Sequence, residues 1–121
     1  MSRDTGLREV REGMTLNEYQ ALAQRTSRKE LTPREHLFNG VLGMAGEAGE
    51  CADLVKKHCY QDGREIIQNL KDEAGDVMWY VVEVISAMGW TLEEVAQNNV
   101  EKLKRRYPAG FDADRSLNRE G

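Results

Sequence analysis

The amino-acid sequence predicts an all-α protein with a four-helix core. Four helix starts share one capping pattern, in which a threonine or aspartate is followed three residues later by a glutamate; they lie at Thr15, Thr32, Asp62 and Thr91. Apolar or small residues in the two central segments recur at alternating spacings of three and four, the period of a packed helix. We call this line of residues the apolar seam; its members are Leu37, Val41, Met44, Ala48, Cys51 and Val55 in the first segment and Ile67, Leu70, Ala74, Val77, Val81, Val84 and Met88 in the second. With only two prolines in 121 residues, the chain fits one helical domain that is large enough to bury a core.

The capping residues and helix breakers divide the chain from its N-terminal arm to its C-terminal tail. Residues 1–13 are polar and of mixed charge, and we expect a loose arm there. The helical core over residues 14–107 is predicted to contain helices at 16–28, 33–58, 64–88 and 92–106. Leu16, Tyr19, Leu22 and Ala23 are expected to face inward from the first helix. Gly89 should end the third helix and Pro108 the fourth, which leaves 108–121 as an extended or disordered tail.

Composition narrows the possible environments and partners. The net charge of −4 argues against a nucleic-acid polymer as partner. There is no apolar run of the roughly 18 residues that a membrane span needs, and Met1 to Asp4 lack the apolar region of a signal peptide. Cys51 and Cys59 are about 12 Å apart on one predicted helix, too far for a disulfide. We therefore expect reduced thiols, a cytoplasmic location and no membrane partner.

Two pairs of carboxylates in the centre of the chain are the candidate site. Glu47 and Glu50 form one pair, and Glu73 and Asp76 the other; residues three apart share a face of a helix. The polar break at 61–64 predicts a short loop and hence an antiparallel hairpin. Both pairs are equally distant from the break and flank the apolar seam on the same side, so all four carboxylates should converge at one level.

Such a cluster would need bound cations or raised pKa values, because four negative charges at short range repel one another. An all-oxygen ligand set favours hard ions, Mg²⁺ or Mn²⁺, over softer metals. The alternative is a pair of solvated acidic faces, since the chain has 21 acidic residues. Glycines recur every third residue beside the first pair, at Gly40, Gly43, Gly46 and Gly49. Either another helix or a ligand must come close to the backbone there to offset their cost of about 1 kcal/mol each.

Four motifs carry a resemblance to a known family. They are GMAGEAGE at 43–50, DLVKK at 53–57, EAGDVMWY at 73–80 and NVEKLKRRYPAGF at 99–111. In these motifs the chain resembles the MazG-like nucleotide pyrophosphohydrolases over roughly residues 15–111. The resemblance implies an all-α pyrophosphohydrolase fold that is usually oligomeric. It also implies Mg²⁺-dependent hydrolysis of a nucleoside triphosphate, NTP or dNTP, to the monophosphate and pyrophosphate.

By matching positions, the resemblance makes all four carboxylates metal ligands: Glu47, Glu50, Glu73 and Asp76. One of the first pair, Glu47 or Glu50, is expected to orient or deprotonate the attacking water. Hydrolysis is expected because no protein nucleophile is indicated; Cys51 lies on the apolar seam.

Several further residues are candidates for binding the substrate. Asn99, Lys102 and Arg106 share one face of the fourth helix, and the resemblance places Asn99 and Lys102 near the phosphates; a solvated basic face is the alternative. Tyr80, one turn beyond Asp76, could line the nucleotide pocket. The remaining candidates are Lys56, His36 and Asn39. Lys56 could simply complement the helix dipole, and a lone histidine such as His36 is more often structural.

Other functions fit parts of this sequence pattern. Hydrolysis of phosphoribosyl-ATP is performed by the same superfamily. A non-catalytic helical interaction domain is a second alternative, although the intact carboxylates argue against it. A di-iron bundle needs Glu-x-x-His on two helices, and neither His36 nor His58 follows such a glutamate.

Trp79 is expected to pack between helices or subunits, and its presence with Trp90 suggests a homodimer or homotetramer.

Overall fold

The computed structural model describes residues 13–58 and 64–111, and these ranges contain four α-helices. They are α1 (Leu16–Gln24), α2 (Pro33–His58), α3 (Arg64–Ala87) and α4 (Leu92–Arg106). The described residues contain no β-strand, only an isolated bridge between Pro108 and Gly110. The all-α prediction is therefore confirmed. None of the described helices is long and apolar enough to cross a membrane. Several predicted features lie outside the described residues: residues 1–12 of the N-terminal arm, Cys59, most of the polar break with its helix start at Asp62, and the tail beyond residue 111.

Three helices begin at the capping boxes that the sequence predicts. In each, the threonine hydroxyl accepts a hydrogen bond from the glutamate N–H, and the glutamate carboxylate accepts one from the threonine N–H. At α4 these bonds measure 3.1 Å and 2.7 Å between Thr91 and Glu94. The same pair of bonds is present at Thr15 and at Thr32. Local chemistry thus sets the starts of α1, α2 and α4.

The end of α3 is also as predicted. Gly89 has a φ of +78°, a conformation that favours glycine. Its N–H donates to the Ser86 carbonyl at 3.0 Å, and the Trp90 N–H donates to the Ile85 carbonyl at 3.0 Å. These two bonds form a Schellman motif, which satisfies the last carbonyls of the helix and turns the chain toward α4.

The first helix is shorter than predicted, since α1 ends at Gln24 rather than near residue 28. The N–H groups of Thr26 and Ser27 donate to carbonyls three residues back, and the Thr26 hydroxyl also donates to the Ala23 carbonyl at 2.7 Å. Short polar side chains compete with helical hydrogen bonds in this way. Ala23 is buried, but Leu16 is 44% exposed, so its expected inward position was wrong; it lines a shallow groove beside α4.

The core of the molecule is the antiparallel hairpin of α2 and α3, and two glycines bring these helices close together. A Cβ atom on Gly40 would lie 3.0 Å from the Val84 backbone nitrogen, and a Cβ on Gly43 would collide with the Tyr80 ring. Gly46 and Gly49 have nothing within 4 Å of that position. Close helix packing therefore accounts for Gly40 and Gly43, and leaves Gly46 and Gly49 without a contact.

The packed line of α2 differs from the predicted apolar seam. It runs through Gly40, Gly43 and Glu47, whereas Val41 and Val55 are about half exposed. Other seam residues that are exposed are Ala48, Ile67, Ala74 and Met88. The seam prediction was wrong at these positions because the glycines let the helix surfaces meet on the carboxylate flank, which turns the neighbouring apolar residues outward.

The short helix α1 packs on α3 largely through polar contacts. Gln24 Nε2 donates to Glu83 Oε1 at 2.7 Å, and His36 Nδ1 of α2 lies 3.1 Å from Glu83 Oε2. Glu83 is only 2% exposed. One turn earlier on α1, Gln20 donates to the Ser86 hydroxyl at 3.0 Å. A buried carboxyl with partners from two other helices therefore joins α1, α2 and α3 next to the small apolar core of Val82 and Ile85.

Replacing Gly46 with alanine should stabilise the protein, and replacing Gly40 with alanine should destabilise it. At position 46 the methyl group enters open space, and the helix gains about 1 kcal/mol of propensity. At position 40 it would meet the backbone of α3, at a cost of about 1–3 kcal/mol. Urea unfolding, followed by circular dichroism at one protein concentration, measures both changes. Stability changes of the same sign in the two variants would contradict the packing described here.

Candidate metal and nucleotide site

Three carboxylates from the two long helices meet at the middle of the hairpin. Glu47 of α2 and Glu73 and Asp76 of α3 each offer one oxygen, and these oxygens all lie within 4.8 Å of one another. Glu47 and Glu73 are half-buried, whereas Asp76 is exposed. We refer to these residues as the carboxylate trio. Its spacing allows one cation to contact all three side chains.

The helix contact at Gly43 sets the height of the trio. Gly43 lies four residues before Glu47, and Tyr80, whose ring covers Gly43, lies four residues after Asp76. Because each helix advances about one turn over four residues, the contact at Gly43 puts Glu47 and Asp76 at the same level. Glu47 and Asp76 are equally distant from the polar break in the sequence, and the structure places them at one level, as that spacing predicts.

Glu50 is placed differently from the other three predicted ligands. It is exposed, one turn after Glu47 on α2, and its carboxylate does not belong to the trio. The structure therefore brings together three of the four carboxylates that the sequence predicts to converge. That Glu50 is a metal ligand or acts on the attacking water stays a prediction.

The proximity of these acidic groups changes the protonation of Glu73. A hydrogen bond with Glu47 raises the pKa of the Glu73 carboxyl, and burial and the charges of Glu47 and Asp72 raise it further. A proton shared between Glu47 and Glu73 relieves their repulsion. The other oxygen of Glu73, Oε2, is shielded from solvent and has no hydrogen-bond partner among the described residues.

The trio fits a hard divalent cation on these observations. Glu73 Oε2 is shielded from solvent and has no partner among the described residues. Without a cation, only a proton between Glu47 and Glu73 relieves the repulsion within the trio. A cation would replace that proton, satisfy Glu73 Oε2 and neutralise the cluster. Oxygen-only donors of this type suit Mg²⁺ and Mn²⁺ better than thiophilic metals.

A cleft of about 350 Å³ opens beside the trio. It is lined by Glu47, Asp76, Trp79 and Tyr80. The two aromatic rings are 5.0 Å apart and nearly perpendicular, at 86°. The volume is within the range of small-molecule sites. One half of the cleft is therefore acidic and the other aromatic, which suits a ligand with a charged part and a planar apolar part.

Two aromatic residues of this region were not singled out as site residues from the sequence. Trp79 was expected to pack between helices or subunits, yet it lines the cleft beside the predicted Tyr80. Tyr19 was expected only to face inward from α1. Burial raises the pKa of the Tyr19 phenol, and the negative charge of Asp76 adds to this effect, so Tyr19 lies near the trio. The position of Trp79 three residues after Asp76 is the signal that could have found it.

The remaining predicted substrate residues do not line this cleft. Asn99 is exposed, and Lys102 and Arg106 are half-buried, on α4, which packs against α1 and α3. On α2, Lys56 and Asn39 are exposed. His36 contacts the buried Glu83 instead, which is the structural role that the sequence analysis favoured for a lone histidine. Roles in substrate binding stay predictions for all six.

Replacing Glu73 with glutamine should stabilise the metal-free protein at neutral pH. Since the pKa of Glu73 is raised by folding, its proton favours the folded state at low pH, and this contribution is lost as the pH rises through the folded pKa. Glutamine keeps a hydrogen-bond donor and does not ionise. The free energy of unfolding of Glu73→Gln should therefore exceed that of the wild type at about pH 7.5, and the difference should vanish below about pH 4.

Urea unfolding with a chelator present measures this difference at both pH values. Glu101→Gln, on the exposed surface of α4, is the matched control and should show no such pH-dependent gain. A Glu73→Gln variant that is less stable than wild type at neutral pH would contradict the shared proton.

Two comparisons with known proteins gave matches. Residues 39–111 match the family described as the MazG nucleotide pyrophosphohydrolase domain. The chain is also similar to the gene 37 protein of Mycobacterium phage L5, with 40% identity over 80 residues, which cover 63% of this chain and 70% of the phage protein. No solved structure gives a significant match. The family match covers the trio and both aromatic residues of the cleft, and by this match the chain belongs to the MazG nucleotide pyrophosphohydrolase family.

Proposed function

We propose that this protein is a Mg²⁺-dependent nucleoside triphosphate pyrophosphohydrolase, which cleaves an NTP or dNTP to the monophosphate and pyrophosphate. The observation that carries this proposal is the carboxylate trio of Glu47, Glu73 and Asp76, which lies beside an aromatic-lined cleft in a chain of the MazG family. We expect the reaction to take place in the cytoplasm.

The charge of the substrate explains why a cation is part of the proposal. A nucleoside triphosphate has about four negative charges near neutral pH and would be repelled by the acidic half of the cleft. Glu47, Glu73 and Asp76 would hold Mg²⁺, with Mn²⁺ as a substitute and Glu50 as a fourth ligand. When bound, the ion supplies phosphate charge neutralisation and a bound water of lowered pKa.

Glu50 and Glu47 are the candidates for the proton acceptor. The oxygen of the attacking water bonds to phosphorus, the phosphoanhydride bond between the α and β phosphates breaks, and the leaving group departs on its bridging oxygen. The proton of the water passes to a carboxylate. Glu50 suits this role because it is exposed and outside the trio, one turn after Glu47. Water is the nucleophile in this proposal, since Cys51 is half-buried on α2 and does not line the cleft.

Positive charge for the phosphates would come from α4. Lys102 and Arg106 lie one turn apart on that helix, and Asn99 lies one turn before Lys102. We propose that these three side chains contact the phosphates, with Lys56 of α2 as a further candidate. Base or sugar contacts by Asn39 and His36 have less support, because His36 is engaged with Glu83.

A homo-oligomer is part of the proposal. On α2, Phe38 and Leu42 are 52% and 72% exposed, and Val41 beside them is 44% exposed. On α3, Ile67 and Met78 are also about half exposed or more. Large apolar side chains that are grouped on a surface favour contact with another chain. We propose that a second copy covers the α2 surface of Phe38, Val41 and Leu42 in a dimer or tetramer.

Asp76→Asn and Glu50→Gln should each reduce pyrophosphate release at least about a hundred-fold, more than the ~10–100-fold that outer-shell changes at metal sites cost. Both variants should keep the helical circular dichroism of the wild type, because neither side chain is part of the core. The assay measures pyrophosphate from a panel of NTPs, dNTPs and phosphoribosyl-ATP with Mg²⁺, and with a chelator instead.

Asp72→Asn is the matched control for these variants. Asp72 is an exposed carboxylate next to Glu73 and is hydrogen-bonded to Gln68, but it is outside the trio. It should keep near wild-type turnover. If Asp76→Asn retains full Mg²⁺-dependent activity, or if the wild type releases no pyrophosphate from any nucleotide, the proposed function is wrong.

Light scattering should show more than one chain per particle at micromolar concentration. Leu42→Lys should lower the measured mass, because the charged side chain would have to be buried in the interface. A wild-type mass of one chain at this concentration would refute the oligomer.

A further inference from the structure

The aromatic half of the cleft is held in place by the rest of the fold. Trp79 Nε1–H donates to the Thr26 hydroxyl at 2.7 Å and lies 3.2 Å from the Ala23 carbonyl. Ala23 is in the last turn of α1 and Thr26 lies two residues after its end, both more than 50 residues earlier in the chain. The indole of α3 is thus fixed at its polar edge by a different helix, while its ring lines the cleft.

The neighbouring tyrosine ring is fixed as well. Tyr80 lies against Gly43, where any larger residue would collide with the ring. Its ring meets the Trp79 ring edge to face, which is a favourable arrangement of two aromatic side chains. Trp79 and Tyr80 therefore form one preformed aromatic wall of the cleft that Glu47 and Asp76 also line. A preformed wall loses little side-chain entropy when a ligand binds.

We propose that Trp79 is the residue that contacts the nucleobase, and that Thr26 is the positioning residue that orients its indole. This inference rests on the function proposed above, because it takes the acidic half of the cleft as the triphosphate end. With the phosphates at the carboxylate trio, the planar base of the same molecule lies at the aromatic half.

The chemistry of the indole also gives the type of recognition. The N–H of tryptophan is its only polar group, and here it is already used by Thr26 and Ala23. Trp79 can therefore offer only its ring surface to the base. Stacking on such a surface accepts every base, because each has a π-face. Trp79 should distinguish a nucleotide from inorganic polyphosphate, but should distinguish only weakly between bases.

Fluorescence of a single tryptophan tests this contact without any change at the site. The chain has two tryptophans, and Trp90 is 47% exposed at the end of α3, so Trp90→Phe leaves Trp79 as the sole reporter. The titrants are an α,β-methylene NTP, which resists cleavage, and inorganic tripolyphosphate, each with Mg²⁺. The nucleotide analogue should quench or shift the emission, and tripolyphosphate should not, although it should compete with the analogue.

Kinetics of variants at both residues provide the second test. Trp79→Leu should raise KM for nucleotides about 5- to 100-fold, as expected for loss of a base–aromatic stack, with a smaller change in kcat. Thr26→Val removes the hydroxyl acceptor at nearly constant volume and should raise KM several-fold. Thr26→Ser restores the acceptor and should return KM to near the wild-type value. The inhibition constant of tripolyphosphate should stay unchanged in all three variants.

The two proposals fail in different ways. Equal fluorescence responses to the analogue and to tripolyphosphate, or no response to either, would overturn the base contact even if the enzyme is active. Weaker tripolyphosphate inhibition in Thr26→Val and Trp79→Leu, in parallel with the change in KM, would also overturn it, because a general loss of site structure would then explain both. A nucleotide-specific fluorescence change in a protein that releases no pyrophosphate would support the base contact and refute the hydrolase.

Discussion

The close contact of α2 and α3 at Gly40 and Gly43 is the constraint on which the site depends. At both positions a larger side chain would meet atoms of α3, so the two helices can lie this close only because glycine is present. The contact sets the height of one helix against the other, and hence the level at which Glu47 meets Glu73 and Asp76. The entropy cost of two helical glycines, about 1 kcal/mol each, is offset by backbone packing at this point.

The sequence predicted the order and most ends of the helices, because those features have local causes. Capping boxes and the Schellman turn at Gly89 involve residues within five positions of each other. The face of α2 that packs against α3 was not predictable in the same way. A helix that is apolar on two adjacent faces gives a periodic pattern for either face, and here glycine rather than valine lies at the contact. The early end of α1 depends on the Thr26 hydroxyl, which bonds to the Ala23 carbonyl and competes with helical hydrogen bonds.

At the site, three of four predicted carboxylates could be placed from spacing alone, because a symmetric hairpin relates residues by their distance from the loop. The orientation of the Trp79 indole could not, since its hydrogen-bond partners, Ala23 and Thr26, are distant in the sequence. The raised pKa of Glu73 could not be predicted from the sequence either, because it follows from the proximity of Glu47 and from burial. Repulsion within the trio opposes folding in the absence of a cation, so the site is maintained by packing elsewhere in the hairpin.

The hydrogen bonds between α1 and the hairpin determine how accurately that helix is seated. Apolar contacts tolerate sliding, whereas a hydrogen bond weakens steeply once its geometry is disturbed. If a shift of α1 separated Gln24 from Glu83, one oxygen of the buried Glu83 carboxyl would lose its partner, at a cost of about 1–3 kcal/mol. These hydrogen bonds thus favour a single alignment of α1, the shortest of the described helices. The hydrogen bond from Trp79 to Thr26 aligns the indole with that helix.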